Sequence, residues 1–298
     1  MPSEENHKPE PEIQLPQNVI KLREMLKHCR LCPRNCGVNR LSGQIGSCHI
    51  GATVLVSSAM PHFGEESVLV GRGGSGTIFF AGCNLHCVFC QNYDISQDDN
   101  GRPSTPDQIA GLALGLAQSG CENINFVTPT HVSQTVAEAI VIARHRGLKV
   151  PTVYNCGGYE SLETLKLLDG LIDIYMPDFK YAQASSGRRY SDVSDYPKIA
   201  TTALAEMYRQ KGPLQTNDSG IAQKGVMIRH LVMPADIADS RSVIDIVAAT
   251  APGCAINIMA QYRPAYQAQK FPELMELPPR STIQALHTYA TQKGLQLL

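Results

Sequence analysis

From Gly76 onward the chain repeats one pattern six times, a short apolar strand followed by an amphipathic helix. The strands read TIFFAG, NINFVT, KVPTVYN, LIDIYM, VMIRHLVM and AINIM. The first helix carries the clearest start signal: Thr105 can cap it, Pro106 suits the first helical position, and Gln108 completes a capping box. Its Ile109, Leu112, Ala113, Leu116 and Ala117 follow helical spacing, and Gly120 ends it. Ser133, Ser161 and Ser281 mark the openings of later helices, with Leu162, Leu165 and Leu168 on one face of the helix that begins near Ser161. Alternating strands and helices require a parallel sheet with helices packed on it, and right-handed crossovers curve that sheet. Six units are too few for a closed eight-fold barrel. The expectation is an α/β fold, a partial (β/α)6 TIM-like barrel with a small cysteine-rich module in front of it. In such sheets the chemistry gathers at the carboxyl ends of the strands.

Three segments follow from this reading. Residues 1–17 are polar and Pro-rich, a loose tail; residues 18–70 form a cysteine-rich module with the lead-in strands ATVLVSS and ESVLVG; residues 71–298 form the partial barrel. With 43% hydrophobic and 18% charged residues, the chain has ample material for a core. Its net charge of -1, with no Lys/Arg cluster beyond RQK at 209–211, makes nucleic acid an unexpected partner. The first residues lack the basic start and apolar stretch of a signal peptide, and no apolar run has the length to cross a bilayer. The expected setting is the cytoplasm, without membrane attachment. There, the ten cysteines are expected to be metal ligands or buried thiols rather than disulfides. Cys121, Cys156 and Cys254 stand alone in the sequence, and Cys121 and Cys254 read as small buried apolar residues.

Directly after the first strand comes Cys83-x3-Cys87-x2-Cys90, within GTIFFAGCNLHCVFCQNYDIS. A cluster of four irons and four sulfides takes one thiolate per iron, so three thiolates leave one iron open to a small molecule. An open position is the mark of a catalytic centre. The bland alternative is a zinc site completed by His86 or a distant residue.

The loop, with aromatic Phe89 just before the last cysteine, resembles the signature of the radical adenosylmethionine (radical SAM) superfamily. The surrounding HFGEESVLVGRGGSGTIFFAGCNLHCVFCQNYDIS, with VTPTH, YNCGGYES, MPDFKY, IRHLVMP and NIMAQYRPAY, is similar to the branch labelled pyruvate formate-lyase activating enzyme-like. The resemblance implies a [4Fe-4S] cluster on Cys83, Cys87 and Cys90, S-adenosylmethionine on its open iron, and reductive cleavage to a 5'-deoxyadenosyl radical that abstracts hydrogen from a substrate. It implies an electron donor such as flavodoxin or ferredoxin, and a glycyl-radical protein or peptide as one candidate substrate. Phe89 would pack near the adenine. The family's Gly-Gly-Glu segment after the second strand is replaced here by Thr128-Pro129-Thr130-His131, so Thr128 and Thr130 would have to hold the amino group with oxygens, and His131 would join the pocket. Asn155 ends the third strand before a Gly pair that either admits a ligand or makes an ordinary turn. Asp178 and Lys180 match the Asp-x-Lys of activating enzymes, where both lie beside adenosylmethionine and substrate. Arg229, with His230, Asn257 and Gln261 as weaker candidates, would meet carboxylate, ribose or substrate.

A second group, Cys29-x2-Cys32-x3-Cys36-x11-Cys48, supplies four thiolates for a second metal centre, either zinc or an auxiliary iron-sulfur cluster, and the spacing leaves both open. A segment with so little core gains from a metal staple. The competing class for the whole chain is a non-catalytic iron-sulfur electron-transfer or zinc-binding protein, which requires a fourth protein ligand at the central site.

Overall fold

The computed structural model describes residues 13–98 and 100–298. The expected loose tail lies outside the described residues as far as residue 12, and Gln17 already opens a helix. In chain order the elements are α1 (Gln17–Glu24), β1 (Val54–His62), α2 (Ser67–Val70), β2 (Ser75–Phe80), α3 (Tyr93–Ser96), β3 (Arg102–Ser104), α4 (Pro106–Gln118) and β4 (Asn123–Val127). Then come α5 (Ser133–His145), β5 (Thr152–Cys156), α6 (Leu162–Leu167), β6 (Ile174–Pro177), α7 (Ala184–Ser191), α8 (Tyr196–Lys211), β7 (Gln215–Thr216) and β8 (Ala222–Leu231). The chain ends with α9 (Ser240–Thr250), β9 (Ala255–Met259), α10 (Arg280–Gln292) and β10 (Gln296–Leu297).

One sheet runs in the order β10, β9, β8, β6, β5, β4, β2, β1, β3, with β7 beside β8. The strands from β2 to β10 along this path pair in parallel, while β1 and β3 extend the β2 edge antiparallel. The sheet is an open partial barrel, as the six repeats imply. Residues of β4 and β5 are buried throughout, as strands covered on both faces must be. Strand period 2 puts Val153 and Asn155, Met176 and Asp178, Met227 and Arg229, and Ala255 and Asn257 on one face in successive steps. The lower step is apolar, and the step toward the strand ends is polar.

The apolar step explains a departure from expectation. ESVLVG is not extended but forms the helical turn α2, which delivers Leu69 into a cluster with Val153, Ile174, Met176, Met227 and Ala255. An apolar run of three residues carries no period, so propensity could not separate strand from turn. At α4 the expected capping box is present, Thr105 accepting from the Gln108 amide and Gln108 from the Thr105 amide. Ser161 caps α6. Leu165 and Leu168 are buried there, while Leu162 is exposed. Ser133 is instead the first residue of α5, its hydroxyl buried without a partner, and Pro279 rather than Ser281 precedes α10. Helix α1 packs on α5 and α6, so Val19 and Leu22 share one core with the barrel helices.

Candidate active site

The loop that follows β2 is fixed from several sides. Asn84 donates to the Tyr159 carbonyl at 2.8 Å, the Val88 amide donates to the Tyr190 carbonyl at 2.9 Å, and the Gln267 amide donates to the Val88 carbonyl at 2.8 Å. Gly82 turns the chain with φ +78, and a Cβ there would lie 2.6 Å from the Cys48 carbonyl oxygen, so this position requires glycine. Cys83, Cys87 and Cys90 thereby come to one wall of a cavity of about 380 Å³. The Leu85 amide donates to Cys83 Sγ at 3.4 Å, Cys87 Sγ lies 2.9 Å from the Ser191 hydroxyl, and Cys90 Sγ lies 3.2 Å from that of Ser96.

Burial pushes the Cys83 and Cys87 thiols up from their ordinary pKa, opposed at both by the nearby Lys180 ammonium. Both therefore stay protonated unless a cationic group binds beside them. Among the described residues no three His, Cys, Asp or Glu side chains are already closed on a point that would hold a single metal ion. Three thiols along an open wall fit a cluster that takes one thiolate per iron. His86 turns its ring to Ser47 at 3.2 Å and Gln97 at 3.4 Å and does not line the cavity.

The same cavity is lined by Phe89, Thr128, Asn155, Asp178, Lys180, Arg229 and Gln261. Phe89 is held between Tyr181 and Tyr262, each ring 6.4 Å away. Thr128 adopts φ +59, an uncommon conformation for a residue with a branched side chain, and its amide donates to the Asn155 carbonyl at 2.9 Å. Lys180 Nζ donates to Asp178 at 2.5 Å. Burial disfavours the Lys180 ammonium, but Asp178, with Cys87 and Tyr196 nearby, outweighs it, and together they raise the Lys180 pKa well above its ordinary value.

Arg229 is not free to meet a ligand alone. It bonds Glu66 at 2.8 and 2.6 Å, and Glu65 as well, while Asn257 donates to Glu66 at 2.8 Å and His62 to Glu65 at 2.8 Å. Burial would raise the Glu66 pKa, and Arg229 reverses the sign and lowers it. Glu65 and His62 also line the cavity, and sequence reading assigned neither. Both stand in HFGEES, where nothing local signals a partner more than 160 positions away.

Thr130 and His131 lie elsewhere. The chain enters a 3-10 turn at Thr130–Val132, which buries both away from the cavity. Thr130 donates to Glu160 at 2.6 Å, and His131 Nε2 donates to the Ala81 carbonyl at 2.8 Å with its pKa pushed down to about 3 by burial. His230 is likewise internal, between the Phe179 carbonyl at 2.7 Å and the Ser240 hydroxyl at 2.9 Å.

The family model of the Radical SAM superfamily matches residues 77–191, from β2 through the cysteine loop to α7. The uncharacterized protein MJ0674 of Methanocaldococcus jannaschii is 32% identical over 262 residues, covering 85% of this chain and 71% of that protein. The uncharacterized protein MJ0808 of the same organism is 26% identical over 209 residues, covering 62% and 59% of the two chains. A solved structure, Streptococcus suis SuiB, superposes with a TM-score of 0.49 at 11% identity, covering 72% of this chain and 46% of that one. The chain belongs to the radical SAM superfamily.

Proposed function

We propose that the protein is a radical SAM enzyme that binds S-adenosylmethionine in the 380 Å³ cavity, at a [4Fe-4S] cluster held by Cys83, Cys87 and Cys90, and removes a hydrogen atom from its substrate. When bound, this pair of groups supplies reductive cleavage of the sulfonium to methionine and a 5'-deoxyadenosyl radical. The observation that supports the reading is the shared cavity: three thiols, a locked ammonium and an aromatic wall face one space. Phe89, backed by Tyr181 and Tyr262, offers an apolar surface for a flat base and keeps water from the thiol wall. Lys180, charged because Asp178 holds it, offers a donor for a carboxylate. Thr128 and Asn155, at the ends of β4 and β5, offer hydroxyl and amide groups for amino or ribose groups. Arg229, clamped by Glu65 and Glu66, keeps the deeper wall polar and fixed.

The finer reading is activation of a glycyl-radical protein, by hydrogen abstraction from a backbone glycine, with flavodoxin or ferredoxin as electron donor in the cytoplasm. It rests on the sequence resemblance. Among the described residues no helix is long and apolar enough to cross a membrane. Anaerobic incubation of reconstituted, reduced enzyme and adenosylmethionine with a candidate glycyl-radical protein tests it by electron paramagnetic resonance. A glycyl doublet supports activation; 5'-deoxyadenosine formed only at the rate seen without that protein, and with no doublet, overturns it.

A further inference from the structure

The segment in front of the barrel holds a charged group that the other described residues do not answer. Arg40 is 0% exposed. Its Nε donates to the Gly51 carbonyl at 2.8 Å, and its Nη1 to the His131 carbonyl at 2.7 Å and to Cys29 Sγ at 3.8 Å. Its Nη2 is buried with no partner, and among the described residues no carboxylate pairs with it. Guanidinium stays charged in proteins, and burying an unpaired charge is strongly unfavourable. Two carbonyls satisfy hydrogen bonds without supplying a counter-charge.

One of its three partners is the Cys29 thiol, the first of four cysteines in this segment. Cys29, Cys32 and Cys48 are buried and Cys36 is exposed, all four reduced. Tight turns bring them together: the Asn35 amide donates to the Cys32 carbonyl, the Gly37 amide to the Cys29 carbonyl, and the His49 amide to the Gly46 carbonyl, with Asn35, Gly37 and His49 all at positive φ. Cys36 Sγ and Cys48 Sγ flank Gly46, 3.3 and 3.6 Å from where its Cβ would be. We propose that Cys29, Cys32, Cys36 and Cys48 bind an iron-sulfur cluster through four thiolates, one per iron, rather than a single ion on which they would have to close, and that Arg40 is its buried counter-charge. The cluster core, carrying fewer positive charges than its four thiolates carry negative, leaves a net negative centre beside the guanidinium. Arg40 also ties the centre to the barrel: the His131 carbonyl that it holds belongs to the residue whose ring bonds Ala81, two positions before Cys83, and the Cys48 carbonyl packs on Gly82.

The test reads cysteine protection and metal content, neither of which depends on catalysis. Anaerobic wild-type protein, prepared with iron, sulfide and zinc, is exposed to iodoacetamide under native conditions, and each cysteine peptide is quantified by mass spectrometry. An exposed free thiol reacts at once, so Cys36 should be protected until a chelator strips the metal. In the Cys83→Ala/Cys87→Ala/Cys90→Ala variant, about four irons per chain should remain, and about one zinc in their place contradicts the cluster. Immediate alkylation of Cys36, or a folded triple variant without bound metal, overturns the site. Arg40→Met should weaken metal retention against the chelator by about tenfold or more, while Arg40→Lys retains it. Unchanged retention in Arg40→Met, or loss of metal in a folded Arg40→Lys, removes the counter-charge assignment.

Discussion

The Thr130 hydroxyl donates to the Glu160 carboxyl across 2.6 Å in a space closed to solvent. The Tyr154 hydroxyl donates to the other carboxyl oxygen at 3.2 Å. Tyr154 precedes Asn155 on β5, and strand alternation sends the two side chains to opposite faces. Thr130 and Glu160 thus support the strand from behind the cavity rather than inside it.

Thr130→Val removes one donor from this buried carboxyl. Stability should fall by about 1 to 3 kcal/mol, while adenosylmethionine affinity by calorimetry stays within about twofold, a shift of less than 0.5 kcal/mol. A large loss of affinity at unchanged melting temperature would return Thr130 to the ligand site.

Glu160 also sets a pH dependence. Burial raises its pKa to about 7 from 4.5, against the hydrogen bonds that lower it. Between these values the folded state holds a proton that the unfolded state has released, so stability falls as pH rises through the window. Glu160→Gln keeps an acceptor for Thr130 and cannot ionise. Its stability relative to wild type should improve, by up to about 3 kcal/mol, between pH near 4.5 and pH near 8. Denaturation of both proteins across that range checks this, and a constant difference contradicts it.

Arg229→Ala strands Glu65 and Glu66, whose side chains are 7% and 5% exposed. The expected cost is about 3 to 5 kcal/mol. Arg229→Lys should recover part of it, as an ammonium replaces the fork with a single charge. Equal stability of wild type and Arg229→Ala in urea titration would show that the network carries no stabilising charge pair.

Lys180→Met leaves the cysteine loop untouched but removes the donor that Asp178 orients. Adenosylmethionine affinity should weaken by about tenfold, the scale of one charge-assisted hydrogen bond, with the cluster's absorbance retained. Unchanged affinity would move carboxylate recognition to another wall of the cavity.

The parts of this molecule legible in sequence are those written locally. The six strand-helix repeats gave the parallel sheet, Thr105 and Gln108 marked the start of α4, and the cysteines after β2 fell at a strand end where chemistry collects. What was not legible depends on distant partners. Leu69 becomes helical to reach a core built by β5, β6, β8 and β9. Thr130 and His131 sit at a strand end like their neighbour Thr128, yet one 3-10 turn sends them inward. Arg229 has Glu65 and Glu66 as partners from a segment that no local rule places inside the barrel.

The most direct measurement is adenosylmethionine cleavage by anaerobically reconstituted, dithionite-reduced protein, read as 5'-deoxyadenosine by chromatography. Wild type should release 5'-deoxyadenosine without added substrate, and replacing Cys83, Cys87 or Cys90 by Ala should abolish both the cluster's absorbance and the release. Retention of cleavage in any of the three variants, or a wild-type protein with a full cluster and no cleavage, would contradict the assignment.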